Sequence, residues 1–283
     1  MHIRPATHAD LPEEYDVFRA AIGELYRRHS FHPPDPPFEA FSEYHGHLLA
    51  LDGDRCAVAV HRGRVIGFAA AFARGETWFL ASLFVRPNEQ ARGIGHDLLA
   101  AVWGSFARRL TMTDSIQPVS NALYARSGLL PTTPVFTLSG PVRLPDGAPN
   151  LRPSAATPEA LATLDAAAYG FDRAVDHRYW SEHARPTLWL EDGAPVAYSY
   201  VWGHGRIGPI AGIDGAAASA AFRAELARTR AQSSFVLVPG TSRELFAAAI
   251  DVGLRIAGPP GLLLTSEGVS APTALAVSGF SLF

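Results

Sequence analysis

The chain carries one pattern twice, and any fold it adopts must accommodate two copies. Ile3-Arg4-Pro5-Ala6 returns as Leu151-Arg152-Pro153-Ser154. Each copy reads as a short strand running into a helix start, with Thr7 or Thr157 as the cap and acidic residues soon after. Residues 57–72 align without gaps on 187–202, and both stretches read as two apolar strands joined by a tight turn, with Gly63 and Gly193 in equivalent places. The offsets of 148 and 130 residues are domain-sized and too long for a solenoid. A chain of 283 residues holds two such units. Between them, residues 139–150 contain three prolines and two glycines, the composition of a linker. The expected domains are 1–143 and 148–283, with the boundary near residue 145.

Hydrophobic periodicity fills in each unit. The first reads as strand 2–5, helices 9–28 and 38–50, strands 55–61, 64–73 and 77–85, helix 92–108, strand 110–114, helix 118–127 and strand 132–138. The second reads as strand 150–153, helices 157–168 and 174–183, strands 187–191, 194–202 and 206–210, helix 215–230, strand 234–238, helix 241–252 and strand 255–265. The apolar tail 271–283 reads as a final strand. Each unit is therefore an α/β domain of the α+β type, with a mixed sheet that starts antiparallel and continues through βα crossovers.

Composition narrows the chemistry. All 24 positive residues are arginine. Without lysine, a Walker-type phosphate loop, a Schiff-base or pyridoxal-phosphate enzyme and a protein kinase are excluded. A net charge of −3 and a pI near 6.4 give no basic face for nucleic acid. Cys56 is the single cysteine, so an internal disulfide and a Cys-rich zinc site are excluded, which suits a reducing compartment. The opening MHIRPATHADL has no apolar signal core, and no apolar run reaches the ~18 residues of a membrane helix. A cytoplasmic location is expected.

Residues 85–96, VRPNEQARGIGH, are where anion chemistry is expected. A strand ending at Val85 feeds a loop whose Gly93-Ile94-Gly95 opens an apolar helix. The free amides of a helix N-terminus, with roughly half a positive charge from the dipole, suit a pyrophosphate and need no lysine. Glycine there leaves room for a ligand to approach the backbone. A plain βα turn is the competing reading of the loop alone. One βα unit later comes QPVSNALYARSG, residues 117–128.

Together the two segments resemble the GNAT superfamily of N-acetyltransferases. The pattern Gln/Arg-x-x-Gly-x-Gly/Ala is matched by Gln90, Gly93 and Gly95, and the later Leu-Tyr-x-x-x-Gly by Leu123, Tyr124 and Gly128. The resemblance covers the whole first unit and implies two tandem GNAT-like domains. It implies acetyl-CoA as cosubstrate, its pyrophosphate held by the backbone of Gln90, Ala91, Arg92, Gly93, Ile94, Gly95 and His96, and its pantetheine amides paired with Phe84 and Val85. It implies that Tyr124 protonates the leaving thiolate, with Ser120 one helical turn before it. An amine, already deprotonated, attacks the acetyl carbonyl directly.

The strand before the loop carries no acid, unlike some relatives. Candidate bases are Glu76, Asp114 or water, and water relayed to Asp114 or Glu43 is preferred. The second unit lacks Gly-x-Gly at its matching helix start, residues 213–222, and Ala249 stands where the tyrosine should be, so it reads as a degenerate copy. The acceptor is expected to be a small-molecule amine, with no nucleic-acid or membrane partner. A non-catalytic acyl-CoA sensor is the alternative, and a protein N-terminal acetyltransferase a third reading.

Two other patterns favour plain readings. Gly203-His-Gly205-Arg-Ile-Gly208 spells a dinucleotide motif but precedes Pro209 and a strand, so it reads as a hairpin turn. His29, His32, His45 and His47 lack the carboxylate pattern of a metal site and read as a surface loop, or as a lining of the acceptor cleft, and no metal is expected.

Overall fold

The computed structural model describes residues 1–144 and 149–283. Residues 145–148, the centre of the expected linker and of the boundary placed in it, lie outside the described residues. Packing groups the chain into two compact units: Met1–Leu130 with Leu264–Val269, and Pro131–Leu263 with Ser270–Phe283.

The first unit opens with β1 (His2–Pro5), α1 (Leu11–Arg28) and α2 (Phe38–Asp52). The α1 start matches its sequence signals: Thr7 and Asp10 form a capping box, Pro12 sits in the first turn, and Glu13 and Glu14 follow. Then come β2 (Cys56–His61), β3 (Arg64–Arg74), β4 (Thr77–Val85), α3 (Ile94–Val102), β5 (Arg108–Asp114) and α4 (Pro118–Arg126). The sheet order is β1-β2-β3-β4-β5. It is antiparallel except for the parallel β4–β5 pair. The β2–β3 turn has positive φ at Arg62 (50°) and Gly63 (76°). Its counterpart has the same signature at Asp192 (49°) and Gly193 (86°). Two left-handed residues make a type I′ turn, whose twist matches the strands it joins, so the repeated glycine marks a repeated hairpin.

Alternation along β3 assigns the faces. Phe68 points at α1 and α2, joining Val17, Phe41, Val58, Val60 and Val65 in one core. Gly67 points the other way, where a Cβ would lie 3.1 Å from Leu98 of α3. Late in the chain, Leu264–Val269 returns to this unit: Ser266 donates its amide to Arg109 O (2.9 Å) and accepts the Arg109 amide on its hydroxyl (3.1 Å).

The second unit runs β6 (Leu130–Pro141), β7 (Arg152–Ser154), α5 (Pro158–Tyr169), α6 (Ala174–His183), β8 (Ala184–Glu191), β9 (Ala194–Trp202) and β10 (Ile207–Gly212). It continues with α7 (Gly215–Thr229), β11 (Ser233–Pro239), α8 (Arg243–Asp251), β12 (Arg255–Ile256), β13 (Gly261–Thr265) and β14 (Leu275–Ala276). Five strands form a sheet in the order β14-β10-β9-β8-β7. β6 pairs antiparallel with β11 and β12. The 203–208 segment is the expected turn, closed by Gly205 N to Trp202 O and Trp202 N to Arg206 O, each 3.0 Å.

Three element boundaries differ from expectation for local reasons. The strand expected over 255–265 is broken by Gly258-Pro259-Pro260, because proline has no amide for a ladder. The helix expected over 92–108 stops at Val102, two residues before Gly104 with φ +54°. The tail 271–283 pairs as a strand only at Leu275–Ala276.

Candidate active site

The site is built on a failure of pairing. The register of β3 and β4 shifts so that Ala70 faces Ser82 and Ala71 faces Leu80, which leaves Ala81 as a bulge. The parallel ladder to β5 runs from Thr77–Arg108 to Leu80–Thr111 and ends there. Thr111 Oγ1 closes it by donating to Leu80 O (3.0 Å). Past that point the β4 edge is open, with donors and acceptors left for something other than β5. Arg86 N donates to Ile66 O (2.9 Å), and alternation then turns the Phe84 backbone towards β3 and those of Leu83 and Val85 towards the open edge. Val85 O is taken by Gln90 Nε2 (2.9 Å). The open groups are therefore those of Leu83 and the Val85 amide. Phe84 contributes its ring instead, packed against Phe18 and Phe68 at 5.2 and 5.5 Å.

The loop after β4 leads to the α3 N-terminus. Gln90 serves as its strut, and Ala91 (φ +62°) and Gly93 (φ +81°) turn the chain. Gly93 caps the helix with no side-chain bond, and the first helical hydrogen bond is Asp97 N to Gly93 O (3.0 Å). The amides of Gly93, Ile94, Gly95 and His96 precede it and lack helical acceptors. A Cβ at Gly93 would meet nothing within 4 Å, so its backbone angle is what calls for glycine. At Gly95 a Cβ would make an ordinary 3.6 Å contact with Leu123. Ala91, Arg92, Gly93 and His96 are exposed and Ile94 is buried. Arg92 is held by Glu89 at 2.8 Å.

Tyr124 lies on α4, which starts at Pro118 under a Gln117 cap and ends where Leu129 N returns to Tyr124 O (2.9 Å) past Gly128. The tyrosine is buried at 4% exposure. Burial raises its pKa, and the hydrogen bond with Ser120 opposes that rise, so the ring stays a phenol with a proton to give. Asp114 ends β5, half-buried, accepting the Tyr26 hydroxyl on Oδ1 (3.0 Å). Burial lifts its pKa and the Tyr26 bond counters. Tyr124 and Asp114 thus flank one turn, with Asn121 Nδ2 bonded to Asp114 O (3.2 Å).

The other candidate acids lie elsewhere. Glu76 is exposed at the β3–β4 turn, the far end of β4 from the bulge, and Glu43 is exposed on α2. Cys56 is buried, and burial pushes its thiol up to about 12, which removes it as a nucleophile at neutral pH.

His45 corrects the surface-loop reading of the histidine cluster. It is buried, stacked on Phe41 at 3.9 Å, with Nδ1 on Phe41 O (3.0 Å) and Nε2 on Ser82 Oγ (3.1 Å) beside the bulge. Burial pushes its pKa down to about 4. The sequence signal was its i+4 spacing from Phe41 on an apolar helix face. Among the described residues, no three His, Cys, Asp or Glu side chains converge as a metal site. Among the described residues no helix is long and apolar enough to cross a membrane.

The same places in the second unit are filled by its own chain. β14 pairs with β10 (Ile210–Ala276, Ala211–Leu275), and Val277 N bonds Leu237 O of β11 at 3.0 Å. The tail thus occupies the gap between β10 and β11 that corresponds to the open one between β4 and β5. Asp214 caps α7 by accepting Ala217 N (2.8 Å), and a Cβ at Gly215 would collide with the Glu244 carboxylate. Two carboxylates stand where the first unit leaves bare amides. Ala249 is fully buried in the core of this unit.

Comparison with known proteins bears on the fold. Residues 18–129 match the family model described as the acetyltransferase (GNAT) family. A putative acetyltransferase from Pyrococcus horikoshii superposes with a TM-score of 0.78 at 15% identity, covering 100% of this chain and 95% of that one. A GCN5-related N-acetyltransferase from Sphaerobacter thermophilus gives 0.65 at 16% identity over 96% and 98% of the two chains. A tandem GNAT protein from the clavulanic acid biosynthesis pathway gives 0.59 at 14% identity over 95% and 99%. Among curated proteins none matches the chain. The molecule has a tandem GNAT fold, and residues 18–129, within its first unit, match the acetyltransferase (GNAT) family.

Proposed function

We propose that the first unit transfers acetyl from acetyl-CoA to a primary amine of a small molecule, and that Tyr124 is its general acid. One observation carries the reading: an open β4 edge, an uncapped helix N-terminus and a buried, protonated tyrosine lie within one β-loop-α-β-α segment. Each supplies what one part of a thioester cosubstrate needs. The bare amides of Gly93 to His96 suit the pyrophosphate. Leu83 and Val85 offer strand-type partners to the pantetheine amides, where Phe84 and Val85 had been expected. The bulge at Ala81 turns the backbone at the point where a carbonyl would need a donor. The neutral amine attacks the thioester carbon, the C–N bond forms, the C–S bond breaks, the thiolate takes the Tyr124 proton, and the proton shed by the nitrogen restores the phenol.

The test is thiol release across a panel of primary amines and N-terminal peptides, paired with calorimetric titration of coenzyme A. The expected result is one CoA per chain, turnover with small amines, and a drop of about 10²–10⁴-fold in kcat for Tyr124→Phe at unchanged CoA affinity. Tight CoA binding with no turnover on any amine would establish the alternative, an acyl-CoA sensor. Turnover on peptides alone would point to a protein N-terminal acetyltransferase.

A further inference from the structure

The second unit fills its counterpart of the β4–β5 gap with its own chain, yet one charged group at the opposite end of β10 is unmatched. Arg206 lies in the turn between β9 and β10, half-buried, its guanidinium 4.0 Å over the Trp202 ring. A guanidinium carries five N–H donors. Among the described residues none of those on Arg206 has a hydrogen-bond or ion-pair partner, and Nε is sealed from solvent as well. Burial pushes its pKa down to about 10, and the nearby Tyr179 hydroxyl opposes the fall. Arg86 and Arg223 also bury a partnerless nitrogen, but each has another one bonded: Arg86 Nε to Val65 O (3.0 Å) and Arg223 Nη2 to Asp251 (2.8 Å). Ser278, 3% exposed, likewise buries its hydroxyl without a partner. Its neighbour Gly279 lies against Arg206, where a Cβ would be 3.9 Å from Nη1. A desolvated cation with no counter-ion is costly.

The first unit shows what such a position takes. The repeat that sets Trp202 at Phe72 gives Phe72 an arginine too, Arg74, 4.9 Å over its ring. Arg74 Nη1 pairs with Asp52 Oδ2 at 2.9 Å, and both side chains are buried. The same offset of 130 residues puts Glu182 at Asp52. Glu182 is exposed near the end of α6 and makes no ion pair with Arg206. We propose that Arg206 anchors a binding site for a small carboxylic acid, whose carboxylate takes on this guanidinium the place that Asp52 holds on Arg74. The site lies beyond the acyl-transfer reading and stands or falls without it. A two-pronged guanidinium–carboxylate pair satisfies two donors and the charge at once. Trp202 also lines an open cavity of about 650 Å³ with Pro186, Val201 and Gly203, an apolar wall for the rest of the ligand. Glu182 lines the same cavity, and Arg185 there is already paired with Glu225 (2.9 Å), so the site suits one negative charge rather than two.

The test follows the guanidinium directly. Proton–nitrogen NMR of the full chain labelled in arginine, with the Arg206 Nε–H signal assigned as the one lost in Arg206→Lys, is titrated at pH 7 with benzoate, benzamide and inorganic phosphate. Benzoate should move the signal and half-saturate at about 1 mM or below, benzamide should leave it in place, and phosphate should bind at least about tenfold more weakly. In calorimetric titration Arg206→Met should weaken benzoate roughly ten- to a hundredfold, the worth of one charged hydrogen bond. The same variant should melt no earlier than wild type, because it removes a desolvated charge and keeps an apolar chain over Trp202. A signal that benzoate leaves unmoved would overturn the site. An equal response to benzamide would make it an apolar contact, and an equal response to phosphate an undiscriminating anion patch; either overturns the carboxylate assignment. Earlier melting of Arg206→Met with benzoate affinity unchanged would reduce Arg206 to a structural part.

Discussion

The two units fill the space under their paired helices in opposite ways. In the first, Val17, Phe41 and Phe68 pack an apolar layer with Phe18 and Phe84. In the second, Tyr198 stands where the duplication puts Phe68, and Tyr200 where it puts Ala70. Asp165 there accepts from Arg173 Nε (2.6 Å), Arg173 Nη2 (2.9 Å) and the Tyr198 hydroxyl, and its Oδ2 meets His177 Nε2 (2.9 Å). His177 reaches Tyr200 through Nδ1 at 3.0 Å, and Arg173 lies over the Tyr169 ring at 3.5 Å. All three charged or titratable centres are at most 1% exposed. The lesson is about satisfaction. The second unit has used its polar groups on itself, in this network, in the β14 strand and in the Asp214 cap. The first leaves a strand edge and four helix-start amides without partners of its own. One topology yields a scaffold or a site according to which backbone and side-chain groups are left over.

The largest expected effect comes from breaking that internal satisfaction. Asp165→Asn keeps the shape and removes the charge, so Arg173 is left buried without its counter-ion. The cost should be about 3–5 kcal/mol in urea unfolding followed by Trp180 emission. A loss below about 1 kcal/mol would mean that the network contributes little and that the contrast with the first unit's aromatic layer is cosmetic.

A second contrast lies in the buried carboxylates themselves. Burial opposes ionisation of Asp165, but Arg173 and His177 overcome it and hold the acid down at about 2. Glu14 of the first unit, 3% exposed, gains no such partner, and burial with the nearby Asp10 pushes it up to about 8. The signs follow. Asp165, depressed when folded, stabilises above the unfolded value and loses that stabilisation as pH falls towards 2. Glu14, raised when folded, is fully favourable below the unfolded value, and its contribution fades as pH climbs through 8. Glu14→Gln should therefore stabilise the first unit at pH 9 by on the order of 3 kcal/mol and change little at pH 4. Thermal melts of the variant at both pH values measure it, and an equal shift at each would show that Glu14 does not titrate on unfolding.

The sequence disclosed what is local. The two type I′ hairpins were visible because positive φ at two successive positions selects glycine. The α3 start and the Tyr124 helix were visible because loop glycines and Leu-Tyr spacing are set within a few residues. What was hidden is non-local. That β6 pairs with β11, and that residues 264–269 pack in the first unit, depends on backbone hydrogen bonds that any side chain can make. The Asp165 network was missed because its members are spread over 36 residues and three elements, and singly each reads as a surface charge. That the Leu83 backbone rather than that of Phe84 faces the open edge depended on one bulge at Ala81, which shifts the alternation by a residue and has no composition of its own.

The smallest effect tests the comparison most directly. Gly93 and Gly193 adopt nearly the same backbone, with φ of +81° and +86°, and at neither does a Cβ meet anything within 4 Å. Alanine at either should cost roughly 1–2 kcal/mol, since the strain is that of a left-handed residue. Their chemistry differs by location, because Gly93 opens the bare α3 terminus and Gly193 turns a hairpin in the closed unit. Gly93→Ala should therefore weaken CoA binding about five- to thirtyfold, the same strain expressed as affinity if the bound loop needs that backbone. Gly193→Ala should melt equally early and bind CoA as wild type does. Calorimetric titration beside thermal melts separates the two. Equal losses of CoA affinity would show that binding tracks stability alone, and the claim that the first unit's unsatisfied amides form the site would fail.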